Sequence, residues 1–353
     1  PGILSKAPSM LFRKDGPLFM RWSYFPKLLP FLVPYLKASG KETVEHIAAN
    51  LAPLLHDSVD EHLSLAKGTE AEKWIRPCEY MFLYADKTAF EGDAFGWGLR
   101  RKHGFEWYTL EGDAIRSVNP ALSADYNFAV VMKDHGMITS PSNYVEDLFK
   151  AFLTEGGQFE KANVRDIEAR DNTATILTDG APVKLDRVVV ACGAHSHFLA
   201  RKHGATVRLE TERGYHMMYA GQESLISRPI GWIDRGVFVS PMLNGLRAAG
   251  TVELGGLDAA PSTPRLRFIE QSAREMLPEL STGGQPWLGF RPTLPDCLPV
   301  IGASPRNSDV ILALGHQHLG MTLGGITGKL VSEVIAGVPP SMDISAFRAG
   351  RFR

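Results

Sequence analysis

The chain has 353 residues, 44% hydrophobic and 22% charged, which suits a globular protein long enough for two sizeable cores. A formal net charge of −1 removes the electrostatic footprint expected of a nucleic-acid binder. Three scattered cysteines, Cys78, Cys192 and Cys297, have neither zinc-ligand spacing nor an even disulfide count, and they read as core filler in a reducing, cytoplasmic compartment.

The chain opens Pro1-Gly2-Ile3-Leu4 without an initiator methionine, so its start reads as processed or truncated. Residues 18–36, LFMRWSYFPKLLPFLVPYL, approach the length of a bilayer span. They also hold Arg21, Lys27, Pro26, Pro30 and Pro34, which argues against a spanning helix. The stretch reads as a Pro-broken segment packed on the protein. Its aromatic and basic residues on an apolar body make it, alternatively, a surface for peripheral contact with the inner face of a membrane.

Ser39-Gly40-Lys41-Glu42 has capping-box form and predicts a helix with Val44, Ile47, Ala48, Leu51 and Leu55 on one face, kinked at Pro53 and ended at Gly68. Residues 74–139 alternate short apolar runs (80–84, 106–110, 127–132) with turns, the pattern of an antiparallel sheet. A short helix begins there at Glu111-Gly112-Asp113 and ends at Asn119-Pro120. Ser140-Pro141 opens a further helix through Tyr144, Val145, Leu148, Phe149 and Phe152, stopped at Gly156-Gly157. Strands are predicted over 164–169, 173–178 and 187–192, with Asp171-Asn172 and Asp179-Gly180 as turns. The last of these is apolar up to Gly193-Ala194, the pattern of a central parallel strand covered on both faces. Residues 207–290 are again strand-rich, with Asn244-Gly245 as a hairpin signal and a helix over 264–276.

The C-terminal stretch 310–337 is the most informative. An apolar strand over 310–315 runs into a turn carrying Gly315, Gly320, Gly324 and Gly325. A helix starting near Thr322 then places Ile326, Leu330, Val334 and Ile335 at helical spacing and stops at Gly337 before Pro339-Pro340. Strand, glycine loop and helix N-terminus together present backbone N–H groups and a positive dipole end to an anion or an electron-rich ring. Upstream, Arg291 sits in Gly289-Phe290-Arg291-Pro292. Its planar fork suits a substrate carboxylate.

Histidine pairs raise a rival. His195 with His197, and His316 with His318, could ligate zinc or iron. No Asp or Glu ligand lies beside either pair and both fall in glycine turns, so no metal is assigned. Tyr215 and His216 open a strand into the second domain, where pocket wall and core filling are both open readings.

With these segments in order, the chain resembles the D-amino-acid oxidase superfamily of flavoproteins, and within it the bacterial D-amino-acid dehydrogenase and glycine oxidase branch. The matching segments are the 112–120 helix, 141–157, Ala191-Cys192-Gly193-Ala194, Gly214-Tyr215, Gly250-Thr251-Val252-Glu253, Gly289-Phe290-Arg291-Pro292 and the turn from Gly315-His316 to Gly320. The resemblance implies FAD as cofactor and Arg291 as the substrate-carboxylate ligand. It places Gly193, Ala194, Gly315, His316, Leu319, Gly320, Met321 and Thr322 beside the flavin. Tyr215, His216, Phe238 and His318 are the implied pocket residues, and no residue is assigned as acid or base. Glu212-Arg213-Gly214-Tyr215-His216 further resembles dehydrogenases of cis-4-hydroxy-D-proline. One departure stands out. The family's opening Gly-x-Gly-x-x-Gly unit, a βαβ of roughly 30 residues or more, is missing, so the chain reads as starting downstream of it.

The implied fold is α/β plus α+β. An incomplete Rossmann-like FAD-binding domain (1–72, 140–205, 291–353) is interleaved with a substrate-binding domain on a mostly antiparallel sheet (73–139, 206–290). The implied reaction is hydride transfer from a D-amino-acid Cα to flavin N5. The electron acceptor is left open, a quinone or another carrier. A glycine- or sarcosine-type amine oxidase is the alternative within the superfamily. A histidine-ligated metal enzyme and a non-catalytic flavoprotein fragment are the alternatives outside it.

Overall fold

The computed structural model describes residues 18–170 and 173–352. The Asp171-Asn172 turn and the Pro1-Gly2-Ile3-Leu4 start lie outside the described residues. In chain order the strands are Leu18–Met20 (β1), Ile75–Tyr84 (β2), Trp107–Glu111 (β3), Phe128–Ile138 (β4), Val164–Arg170 (β5), Thr173–Thr178 (β6) and Val183–Leu185 (β7). Then come Val188–Val190 (β8), Glu210–Ala220 (β9), Ile230–Trp232 (β10), Val237–Met242 (β11), Gly245–Leu254 (β12), Gln285–Thr293 (β13), Val300–Ala303 (β14) and Val310–Leu314 (β15).

The largest sheet has the order β13-β9-β12-β11-β10-β2-β4-β3, with β1 added to the end of β12. It is antiparallel except where β10 meets β2 and β1 meets β12. A second sheet, β14-β15-β8, pairs β15 with β8 in parallel, and β5-β6-β7 forms a separate meander. This is the mixed architecture the sequence implied, with a large, mostly antiparallel sheet.

Alternation along β9 decides where the core lies. Thr211, Arg213, Tyr215, Met217 and Tyr219 are buried in turn. Tyr215, Met217 and Tyr219 join Leu246 and Ala248 of β12 in a core closed by Ile269, Ala273 and Met276 of the Thr263–Met276 helix. Period-two placement sends Glu212, Gly214, His216 and Met218 to the opposite face. A further core packs Ile326 and Leu330 of the Gly324–Ala336 helix onto Ile301 and Ile311, and it reaches Leu54.

Several sequence expectations are corrected. The capping box at Ser39 does not form: Gly40 is the N-cap, and the Ser39 hydroxyl donates instead to the Leu36 carbonyl at 2.6 Å. The predicted single helix is two, Lys41–His56 and Ser58–Ala66, broken at Asp57, with Pro53 inside the first. Short helices Lys87–Glu91 and Ala94–Lys102, and strand β7, fall where no element was expected. The hairpin between β11 and β12 turns through Leu243-Asn244, one residue before Asn244-Gly245, because Met242 pairs with Gly245. Among the described residues β8 is an edge strand, not a central one; Val189 is 37% exposed and Cys192 is exposed.

The 18–36 stretch forms β1, a short 3-10 turn and the helix Phe25–Lys37, with Pro30 and Pro34 inside it. Leu28 and Phe31 pack with Met20 and Leu254 in a small core, so the segment is seated on the protein. No helix among the described residues is long and apolar enough to cross a membrane.

The Gly324–Ala336 helix packs on the Ser58–Ala66 helix at Gly325. A Cβ there would lie 2.9 Å from the Glu61 carbonyl carbon and 3.0 Å from its oxygen. Gly325→Val should therefore overpack this contact and cost about 1–3 kcal/mol. Gly328, in the same helix with nothing within 4 Å of its ideal Cβ, should gain up to about 1 kcal/mol as Ala. Thermal denaturation of the two variants reads both. Equal midpoints would contradict the close approach of the helices.

Candidate active site

One face of the large sheet carries the candidate site. Cross-strand partners share a face, so register alone groups the residues. His216 lies opposite Ala249 on one side and Trp287 on the other. Ala249 lies opposite Phe238, and Arg247 lies opposite Met218 and Ser240. Arg291 lies opposite Glu212, and Gly289 opposite Gly214. Phe238 packs against Tyr80 at 6.4 Å between ring centroids, and the His216 imidazole stacks on Trp287 at 4.8 Å.

Arg291 is held by two backbone devices. Its guanidinium occupies the space that a Cβ on Gly214 would fill. One of its nitrogens donates to the Thr251 carbonyl at 3.1 Å. Thr251 lies at φ 62, within the register break between Gly250 and Glu253. A bulge with a non-glycine residue in the left-handed region is costly and commonly re-aims a group at a functional site. Here the re-aimed group is the carbonyl that fixes Arg291. Burial lowers the Arg291 pKa, and the Glu212 carboxylate on the neighbouring strand offsets part of that.

The glycine turn after β15 lies against the end of β13. His316 bridges to Thr293, and Gly315, at φ 81, seats its backbone against Leu294. A 3-10 turn over Gln317–Leu319 follows, and the helix begins at Gly324, two residues later than the expected Thr322. His316 sits 3.0 Å from the Thr327 hydroxyl through Nε2, and burial pushes its pKa down to about 4. Burial, with Arg247 as the second cause, pushes His216 down to about 4 as well. Burial and the Arg291 charge hold His318 below the ordinary histidine range. Gly193-Ala194, in a 3-10 turn with Gly193 at φ 55, also packs on β13.

This arrangement fits the ring of a flavin. Gly193 has nothing within 4 Å of its ideal Cβ, and Gly320 only His316 Cβ at 3.8 Å, so both leave open space for a flat ligand. The thirteen-residue Gly324–Ala336 helix has apolar Leu323 as its N-cap and no side-chain cap; the Gly324 N–H donates to the Met321 carbonyl at 3.1 Å, which leaves the Gly325 and Ile326 N–H groups for a ligand. Leu319, Met321 and Thr322 lie in the turn between β15 and this helix, with Met321 exposed. The chain carries no Gly-x-Gly-x-x-Gly turn for the nucleotide half, and among the described residues β8 has an unpaired edge.

Tyr215 is the clear correction. Its ring belongs to the core under the Thr263–Met276 helix, on the face away from His216. Its hydroxyl donates to the Glu253 carboxylate and accepts from the Ser262 N–H at 3.1 Å. Arg213 is likewise structural, fully buried, with Nε 3.0 Å from Glu253 and further bonds to the Gly256 and Ala259 carbonyls. Of the string around Gly214, only Glu212, Gly214 and His216 reach the site face.

Sequence reasoning missed Arg247, Tyr80, Trp287 and Glu212, although a lone arginine within Leu246-Arg247-Ala248-Ala249 was a visible signal. It also missed His62, which anchors the glycine turn. His62 Nε2 donates to the Met321 carbonyl at 2.7 Å, and because a carbonyl only accepts, Nδ1 is left to accept from the Tyr144 hydroxyl at 2.7 Å. Among the described residues no three metal-ligating side chains gather, at His195, His197, His316 and His318 or elsewhere.

Comparison with known proteins agrees with this geometry. The family described as FAD dependent oxidoreductase (DAO) matches residues 22–334, and the chain belongs to that family of flavoenzymes, with FAD as its cofactor. A D-amino-acid oxidase of Bradyrhizobium diazoefficiens is 35% identical, across 100% of this chain and 85% of its own length. A D-amino acid dehydrogenase of Paramagnetospirillum magneticum is 25% identical over the same shares. Glycine oxidase from Geobacillus kaustophilus has the same fold, with a TM-score of 0.76 at 20% identity, covering 85% of this chain and 82% of that one.

The two low histidine pKa values set a pH dependence. His216 and His316 protonate near 6.5 when unfolded and only near 4 when folded. The unfolded chain thus binds more protons between those values, so their contribution to stability is full above about 6.5 and is lost as pH falls toward about 4. Thermal midpoints followed across that window should fall less steeply in the His216→Gln/His316→Gln double variant. Parallel profiles would contradict the burial of these rings.

Proposed function

We propose that this enzyme dehydrogenates a D-amino acid, with Arg291 holding the substrate carboxylate. The observation that carries the reading is the Arg291 guanidinium itself: half-buried, fixed over Gly214 by the Thr251 carbonyl, and in no ion pair among the described residues. Support for the D-configured substrate comes from the names of the oxidase and dehydrogenase relatives. Bound FAD would supply the hydride acceptor. Gly193, Ala194, Gly315, His316, Leu319, Gly320, Met321 and Thr322 would hold its ring. The chain's own work is orientation and charge. Arg291 fixes the carboxylate bidentately, and Phe238, His216 and His318 wall the substrate. His216 stays uncharged at neutral pH, so it does not repel the substrate amine.

The finer proposal is cis-4-hydroxy-D-proline, from the motif around Gly214, with His216 left as its pocket residue. The flat His216–Trp287 stack supports a ring-shaped substrate. A glycine- or sarcosine-type amine is the second reading, favoured by the shared fold with glycine oxidase. The interleaved division into FAD-binding (1–72, 140–205, 291–353) and substrate-binding (73–139, 206–290) segments belongs to this proposal. So does a cytoplasmic enzyme that touches the membrane face through Trp22, Leu29 and Val33, which are 58%, 41% and 48% exposed, and passes electrons there to a quinone or another carrier.

Steady-state kinetics test the role of Arg291. Arg291→Ala should lose about 2–4 kcal/mol of transition-state binding, roughly 30- to 1000-fold in kcat/KM. Arg291→Lys should recover part, since an ammonium cannot fork. Unchanged kcat/KM in both variants would remove Arg291 from the site.

Substrate ranking tests the finer reading. Reduction of an artificial acceptor should run fastest with cis-4-hydroxy-D-proline, then D-proline, then D-alanine, and His216→Ala should narrow the first gap. Glycine or D-alanine as the best substrate would favour the second reading.

A further inference from the structure

Arg247 stands apart among the cations of the site face. Among the described residues its guanidinium makes no hydrogen bond, no ion pair and no stack on a ring face. It rises from the middle of β12 on the site face, with Met218 and Ser240 as cross-strand neighbours and Ala249 next along the strand. Tyr80 and His216 both feel the Arg247 charge, and burial keeps the Tyr80 phenol protonated. Among the described residues no nitrogen of this half-buried guanidinium is sealed from solvent, so its five donors stay open to an acceptor that a ligand brings into the cleft. Burial and, further down, the like charge of Arg291 lower the Arg247 pKa, so the two cations face one cleft from different positions along the sheet. On β9 the Arg291 guanidinium covers Gly214, whereas Arg247 pairs with Met218, four positions on (218 − 214). At strand rise the Gly214 and Met218 backbone positions are about 13 Å apart, with His216 between. Two arginine forks reaching into this span leave room for a small amino acid that carries an acceptor at its far end.

We propose that Arg247 is a second recognition point of the cleft, binding an oxygen acceptor on the substrate's side chain or ring, at the end opposite the carboxylate held by Arg291. This rests on the dehydrogenase reading above. The shared chemistry is a hydrogen-bond-accepting oxygen, either a side-chain carboxylate or a ring hydroxyl. The carboxylate is the fuller match, because it also neutralises the charge. Arg247 touches only the distal group, so it sets specificity and takes no part in the hydride step.

The test compares substrates in pairs that differ only in the distal oxygen group: D-glutamate with D-norvaline, and cis-4-hydroxy-D-proline with D-proline. Wild-type, Arg247→Met and Arg247→Lys proteins are assayed by flavin reduction. In the wild type, the oxygen-bearing member of one pair should have the higher kcat/KM. Arg247→Met should shrink that ratio on the order of 10- to 100-fold, mainly through KM, and Arg247→Lys should restore part of it. Collapse of the glutamate ratio identifies a carboxylate, and collapse of the hydroxyproline ratio a hydroxyl. If the wild type turns over D-proline or D-norvaline and neither ratio responds to Arg247→Met, the Arg247 proposal is overturned while the dehydrogenase reading stands. If no D-amino acid reduces the wild type, that reading fails instead. Glutarate then decides separately: a thermal shift in wild type that Arg247→Met abolishes supports the subsite, and no shift, or a shift the variant keeps, overturns it.

Discussion

The guanidinium of Arg291 lies on a glycine, and much of the site follows from that contact. Any side chain at Gly214 would occupy the space of the guanidinium carbon. The Thr251 carbonyl fixes the other side, turned inward by a residue at φ 62. Two strands on either side of β9 are thereby tied to one cation. The strand that carries this cation runs directly into Thr293, which bridges to His316 in the glycine turn. Arg291 and the glycine turn are thus set against each other through one strand end and one bridge.

Beneath the same strand, the opposite face is an ionic core. Glu253 accepts from Arg21 at 2.6 Å, from Arg213 at 3.0 Å and from the Tyr215 hydroxyl. Arg213 spends its remaining donors on carbonyls of the 256–260 loop. Removing one member of such a buried set typically costs 3–5 kcal/mol, about that much because its partner is left charged and unpaired. The network pins the far side of the bulge, so the residue that turns the Thr251 carbonyl has little freedom to relax. The ionic core on one face and the candidate site on the other share an eleven-residue strand, β9.

Strong periodic elements were legible in the sequence. The 310–314 strand, the 324–336 helix ended by a left-handed Gly337, and the Pro141–Thr154 helix match their signals. Arg291 and the glycine turn were visible because arginine beside proline and clustered glycines are unusual in a core. Tyr215 was not separable from His216, because a short motif does not state which face each residue takes; only strand register does that. Arg247 and Tyr80 come from strands far apart in sequence, and β10 and β11 between them bring them to one cleft. His62 acts from a helix whose boundaries depended on Asp57, a position with no break signal.

The cleft holds Arg247 and Arg291 as its cations, with His216 uncharged at neutral pH. Glu212 is its nearest acid, and burial pushes that carboxyl up. Such a site favours a ligand that brings its own negative charge. The central claim, that a D-amino acid held on this face delivers hydride to bound FAD, is tested most directly by anaerobic stopped-flow mixing of the flavin-loaded protein with the two enantiomers of one amino acid. The account predicts bleaching of the flavin absorbance by the D-enantiomer at a saturable rate, and none by the L-enantiomer. Bleaching by the L-form alone, or by neither form across a set of D-amino acids, would contradict it.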